Sequence, residues 1–327
     1  MKNFLTLILS AFLAQFSLAQ APNVPKSAYA SRIELRSFPS LTLSDDQFLK
    51  GDNSGPAVQI TGELRLPESK TAKLPTVIIM HGSGGISPAN QSWVYLLNQA
   101  GYATFLVDSF SARGLTQVST DQAKLGRFAG VLDSFRAYED MARHPRVDPN
   151  RIALLGTSRG GTAVIYTAMR RFQAQWSPNF KAVATYPLYP SCFDQLDRDE
   201  DISMPIVTFH GGADDYASRE ACKAWINRLI AKGKPATYTE FPNASHSYDN
   251  PLGGTQPVVS KGAQSTRLCH IAERSGILIN TEENKPFSYT DRCVTTDPSV
   301  GSDPEATQTT YRMVLDSLGN LMVSRTP

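Results

Sequence analysis

The sequence predicts an α/β chain built on a parallel sheet sandwiched by helices. Three observations carry that prediction. The runs "LPTVIIMHG", "GYATFLVD", "RIALLG", "FKAVATYP" and "MPIVTFHGG" are continuously apolar and rich in β-branched residues, as central strands buried on both faces require. Segments of helical periodicity lie between them. The resulting β-α-β-α alternation is that of parallel strands joined by crossover helices.

The elements follow in order. Residues 1–19, within "MKNFLTLILSAFLAQFSLAQ", combine one cation, Lys2, with an apolar run from Phe4 to Leu13 and small residues at Ser17 and Ala19. That is the layout of a cleaved signal peptide, and it predicts export to the periplasm or beyond. The apolar run is short for a bilayer span, so no membrane span is expected in the mature protein. Residues 20–30 read as a mobile lead, and 31–327 as one domain. "RIELRSF" and "AVQITGELRLP" alternate apolar and polar positions, as half-buried antiparallel strands do. "NQSWVYLLNQAG" offers an Asn cap and a closing glycine. Apolar positions from Leu125 to Met141 predict a helix over 121–143, and a further helix is expected over 159–173. "SREACKAWINRLIAKG" reads as a helix capped by Ser218, and "ATYTEFP" as the last strand. Residues 247–303, rich in Gly, Thr, Ser, Pro and charge, read as a long insertion with little regular structure, before a closing helix at about 304–323.

Composition narrows the function classes. A formal net charge of +2 with no basic cluster argues against nucleic acid and against an anionic membrane surface as partners. The four cysteines, Cys192, Cys222, Cys269 and Cys293, include no CxxC pair, so no metal site is expected. An even number in an exported chain suggests two disulfides, and spacing alone leaves three connectivities open.

The chemistry centres on "ALLGTSRGGTA", where Ser158 stands between Gly156 and Gly160. A strand ends there and a helix begins, which is the context of a nucleophile elbow. Glycines leave room for close packing and unusual backbone angles. A serine hydroxyl needs a base. Among five histidines, His81 and His210 each end a buried strand as structural or site-lining residues, His144 sits in a turn, and His270 adjoins a cysteine. His246, in the loop "EFPNASHSYDN" after the last strand, is the expected base. Asp214, with Asp215 in reserve, is the expected acid that orients it. The order Ser158, Asp214, His246 is that of α/β-hydrolases. The expected oxyanion donors are the amides of Arg159 and of Ser83, with Gly84 next.

"VIIMHGSGG", "FLVDSFSARG", "RVDPNRIALLGTSRGG", "YPLYPSC", "FHGGADDYAS" and "SHSYD" together resemble the dienelactone hydrolase-like branch of the α/β-hydrolase superfamily, over about residues 57–250 and the final helix. The resemblance implies the α/β-hydrolase fold, with a mostly parallel eight-stranded sheet flanked by helices on both faces, and a Ser-Asp-His triad. It extends to exported members in which a cysteine after "YP" faces one in the following helix. That implies a Cys192–Cys222 pair and leaves Cys269 with Cys293. The founding members use a cysteine nucleophile, and Ser158 departs from them. The departure points to general carboxylic-ester chemistry. Arg113 and Arg159 are expected to pair with carboxylates such as Asp108 in preference to binding an anionic substrate.

The expected function is an exported serine hydrolase acting on a small-molecule ester or lactone through an acyl-enzyme, with no metal or organic cofactor required. The alternatives are an acyltransferase or peptidase of the same fold, or a non-catalytic binding module.

Overall fold

The computed structural model describes residues 30–322, so the segment read as a signal peptide and nearly all of the expected lead lie outside the described residues. Eight strands form the central sheet: β1 (Ala30–Leu41), β2 (Ala57–Pro67), β3 (Leu74–Met80), β4 (Ala103–Asp108), β5 (Val147–Thr157), β6 (Thr185–Leu188), β7 (Ile206–Gly211) and β8 (Ala236–Phe241). Their order across the sheet is β1-β2-β4-β3-β5-β6-β7-β8. β1 and β2 pair antiparallel, as does β2 with β4, and every other pairing is parallel. The helices are α1 (Asp45–Lys50), α2 (Pro88–Gln99), α3 (Ala129–Arg143), α4 (Arg159–Tyr166), α5 (Arg170–Trp176), α6 (Arg219–Ala231) and α7 (Pro304–Met322).

The continuous apolar runs are explained by burial on two faces. Successive strand residues point to opposite sides. In β3, Ile78 and Met80 pack with α1, α3, α4, α5 and α6, while Val77 and Ile79 pack with α2 and α7. All four are essentially sealed from solvent. Both faces therefore demand apolar residues, and the alternation seen in β2 disappears.

Several local expectations need correction. The cap of α2 is Ser87, not Asn90, which is the third helical residue and returns the bond to the Ser87 amide in a capping box. The helix expected over 121–143 begins only at Ala129, after a single 3-10 turn at Gln122–Lys124. The carbonyls of Leu125 and Gly126 accept from the Arg159 guanidinium. The helix expected over 159–173 is broken between Tyr166 and Arg170, where Met169 bridges to Ile202. Ser218 precedes α6 but does not cap it; its hydroxyl donates to the Thr266 carbonyl. Residues 247–303 are more ordered than expected and hold three small antiparallel sheets, the largest over 271–286. α1, with a capping box from Ser44 to Gln47, was not expected.

Both disulfides are as the resemblance implies, Cys192–Cys222 and Cys269–Cys293. The first ties the loop after β6 to the first turns of α6. Among the described residues, no helix is long and apolar enough to cross a membrane.

The tightest backbone contacts lie at the end of β5. A Cβ on Gly156 would stand 2.1 Å from the Gly160 carbonyl oxygen, and one on Gly160 would stand 2.2 Å from that of Met80. Those partners are backbone atoms, so neither can yield cheaply. Gly156→Ala should therefore cost about 3 kcal/mol or prevent folding. Gly319→Ala, in α7 with open space at its Cβ, should instead add about 0.8–1 kcal/mol. Urea unfolding of both variants checks the contrast.

Candidate active site

The site stands at the carboxyl ends of β3, β5 and β7. Ser158 links β5 to α4 with φ 54° and ψ −118°, a sparsely populated conformation for a residue with a Cβ. The surroundings impose it. The Ser158 amide donates to the Leu188 carbonyl of β6, and the Ser158 carbonyl accepts from the Thr162 amide within the new helix. The turn raises the hydroxyl clear of the sheet.

His246 Nε2 lies 2.9 Å from Ser158 Oγ, and His246 Nδ1 lies 2.8 Å from Asp214 Oδ2. The three residues expected to act together are thus one hydrogen-bonded chain. His246 and Asp214 are both buried. Burial alone would push the Asp214 carboxyl up, but the imidazoles of His246 and His210 bring it well below the ordinary carboxylate range. Its other oxygen, Oδ1, accepts from the amides of Tyr216 and Ala217. Asp215 is turned away and receives the Ser299 amide at 2.7 Å.

Ser83 and Arg159, the expected oxyanion donors, lie beside Ser158. Both line a small cavity of about 20 Å3 with it. The Arg159 amide is at the first position of α4 and has no intrahelical acceptor. The Ser83 carbonyl accepts from Val118, and the Ser83 hydroxyl donates to Gln122 Oε1. Gln122 Oε1 also accepts from the Arg159 guanidinium at 2.8 Å. One side chain thus ties together the two segments that carry the expected donor amides.

A larger open cavity of about 190 Å3 also meets Ser158. The insertion supplies part of each wall: Ser260 and Val300 to the larger cavity, Gln264 and Thr266 to the smaller. A bigger groove of about 690 Å3 between α2 and α7 shares only Asn250 with the larger cavity and does not reach Ser158.

A sequence model of the dienelactone hydrolase family matches residues 60–268. The chain belongs to the dienelactone hydrolase family. Solved structures of similar fold include a dienelactone hydrolase-like promiscuous phosphotriesterase from metagenomic libraries, with TM-score 0.59 and 16% identity over 88% of this chain and 98% of that one. A protein of Klebsiella pneumoniae subsp. pneumoniae described as a dienelactone hydrolase gives 0.56 and 14% over 88% and 99%. No curated protein matches the sequence.

Within this family frame, the remaining expectations divide. His81 is structural: Nδ1 donates to the Gly82 carbonyl and Nε2 accepts from the Ser109 amide. His144 bonds Glu34, and His270 bonds Asp194 at the surface. Arg113 pairs with a carboxylate, but with Asp133 and not Asp108. It forms a bidentate pair and also reaches Thr42 Oγ1 and the Leu41 and Ser109 carbonyls. Asp108 instead receives the amides of Phe110 and Ser111. Among the described residues the Arg159 guanidinium makes no ion pair; it donates to Gln122 and two carbonyls, and burial lowers its pKa.

Four neighbours of the site had no role assigned from sequence: Gln122, Tyr189, Tyr216 and Asp249. The rings of Tyr189 and Tyr216 stand 4.7 and 4.6 Å from that of His246. Burial pushes the Tyr216 phenol up to about 12. Asp249 is buried beneath them, accepting from Tyr189 Oη at 2.6 Å and Trp93 Nε1 at 2.8 Å. The motifs "YPLYPSC" and "SHSYD" contain Tyr189 and Asp249, and were the available signal.

Burial raises the Asp249 carboxyl, so the native chain holds that proton more tightly than the unfolded chain does. Its contribution to stability is present below an unfolded value of about 3.9 and is lost as pH rises through the folded value. Asp249→Asn should therefore flatten the fall in stability as pH rises above about 4. Urea unfolding across that range measures it.

Proposed function

We propose that this protein is an exported serine hydrolase that cleaves a small carboxylic ester or lactone. The observation that carries the reading is the chain Ser158 Oγ–His246 Nε2, His246 Nδ1–Asp214 Oδ2, at 2.9 and 2.8 Å. In it, His246 takes the Ser158 proton as Oγ attacks the carbonyl carbon, and Asp214 stabilises the imidazolium. The amides of Arg159 and Ser83 receive the developing oxyanion. His246 then gives the proton to the leaving alkoxide, an acyl-enzyme remains, and water activated by His246 releases the acid. No step calls on a metal or organic cofactor.

Cavity size supports a small substrate. About 190 Å3 is below the roughly 300–1,000 Å3 of sites for drug-sized ligands. One side of the ester must be short, while the open mouth leaves room for the other. Export is supported by the N-terminal segment and by two disulfides, which persist in oxidising compartments.

Ser158→Ala should remove ester hydrolysis and fluorophosphonate labelling together while leaving the fold intact. His246→Ala should cost nearly as much, because such groups act as a unit. Asp214→Asn should lower kcat by about four orders of magnitude, and Asp215→Asn by far less. The reverse ranking of the aspartates would sink the assignment of the acid. On p-nitrophenyl esters, kcat/KM for acetate should exceed that for octanoate by about tenfold or more. A rate that climbs with chain length would refute the size limit.

A further inference from the structure

His210 is the penultimate residue of β7, just before Gly211, and is sealed from solvent. Its Nε2 lies 3.3 Å from Asp214 Oδ2, the oxygen that also meets His246 Nδ1. Neither of its ring nitrogens makes a hydrogen bond among the described residues. The nearest ring, Tyr238 on β8, is 6.0 Å away between centroids, and its hydroxyl is itself buried without a partner. A wholly buried imidazole with no hydrogen bond is costly. Asp214 is the acceptor within reach.

Asp214 has room for it. A carboxylate offers about four acceptor sites. Two amides occupy Oδ1, and His246 occupies one site on Oδ2. A bond from His210 completes the set with no water. We propose that His210 is a positioning residue: its Nε2–H donates to Asp214 Oδ2 and sets how strongly that carboxylate pulls on His246. The inference rests on the reading of Ser158, His246 and Asp214 as the reacting chain.

The sign of the effect follows from charge sharing. A donor on Oδ2 spreads the carboxylate's charge and weakens its field at His246. Without that donor the imidazolium gains stability, and the base stays protonated to higher pH. Other ionisable groups surround the pair. Tyr189, Tyr216 and Asp249 face His246. Near His210, Tyr238 and Glu240 come from β8, and Arg219 and Glu220 of α6 act in turn on Tyr238. None of these donates to Asp214 Oδ2, so the effect is specific to the His210 side chain.

Two measurements test it on the full-length oxidised protein. With ring-15N histidine, the His210 signal, assigned by its loss in His210→Gln, should show a proton on Nε2 and none on Nδ1. The opposite tautomer overturns the proposal. On p-nitrophenyl acetate, His210→Leu should lower kcat about threefold at pH values on the acid limb, where more His246 is protonated, and not on the alkaline plateau, with little change in KM. The acid limb of its rate profile should move to higher pH by about half a unit or more. His210→Gln keeps an N–H near the same place and should stay close to wild type. Superimposed limbs for His210→Leu and wild type would mean that His210 only fills space. If the leucine variant does not fold, the tautomer decides alone. Fluorophosphonate labelling of wild type and of Ser158→Ala is run alongside. A Ser158→Ala protein that keeps its activity refutes the reacting chain, while the tautomer still judges the Asp214–His210 bond.

Discussion

The site depends on how closely α4 is pressed onto the ends of β5 and β3. Gly156 and Gly160 meet backbone at distances that admit no Cβ. With the helix held that near, the chain has no room for a relaxed connection, and Ser158 takes the positive φ. The same device recurs at β7. A Cβ on Gly211 would stand 2.2 Å from the Ala244 carbonyl oxygen, and Ala244 lies two residues before His246. One glycine contact therefore raises the serine and another lets the histidine loop cross toward it. The strain at Ser158 persists because packing around it leaves no alternative.

The insertion is part of the same construction. Ser265 Oγ donates to the Tyr216 carbonyl, and the Gln122 amide donates to Gln264 Oε1. Asp215 receives the Ser299 amide, and the Gly301 amide donates to the His246 carbonyl. These bonds reach the loops that carry Asp214, Gln122 and His246. Arg127 joins Thr266 and Tyr289 from the opposite side. The Cys269–Cys293 bridge closes this segment on itself. A surface decoration would have no reason to satisfy so many buried polar groups of the main fold.

What could be read in the sequence follows from what each signal measures. Apolar runs measure burial on two faces, so β3, β4, β5 and β7 were legible. Residue order along the chain measures topology, so Ser158, Asp214 and His246 could be chosen before their contacts were known. Periodicity measures only apolar spacing. Leu125 and Phe128 fit a helical stripe, yet the carbonyls at 125 and 126 are needed by the Arg159 guanidinium. That need comes from a residue 33 positions away, and no local pattern registers it. Gln122, Tyr189 and Asp249 were missed for the same reason: each acts through a partner distant in sequence. Ser218 was misread as a cap because its hydroxyl has a better acceptor in the insertion.

The two adjacent aspartates show where residue order stops being informative. Asp214 and Asp215 are one position apart, and neither composition nor spacing separates them firmly. The backbone does. The amides of Tyr216 and Ala217 fold back onto Asp214 Oδ1, a local turn that a short carboxylate side chain favours. With Oδ1 so held, Oδ2 points at the two imidazoles. Asp215 is directed to the insertion and bonds Ser299. An acid that must orient a histidine needs its spare oxygen already occupied, or it would rotate. The turn supplies that, and its donors are main-chain amides that any residues at 216 and 217 except proline would provide. Which aspartate meets His246 is therefore set by backbone geometry, which side-chain identities in the sequence do not record.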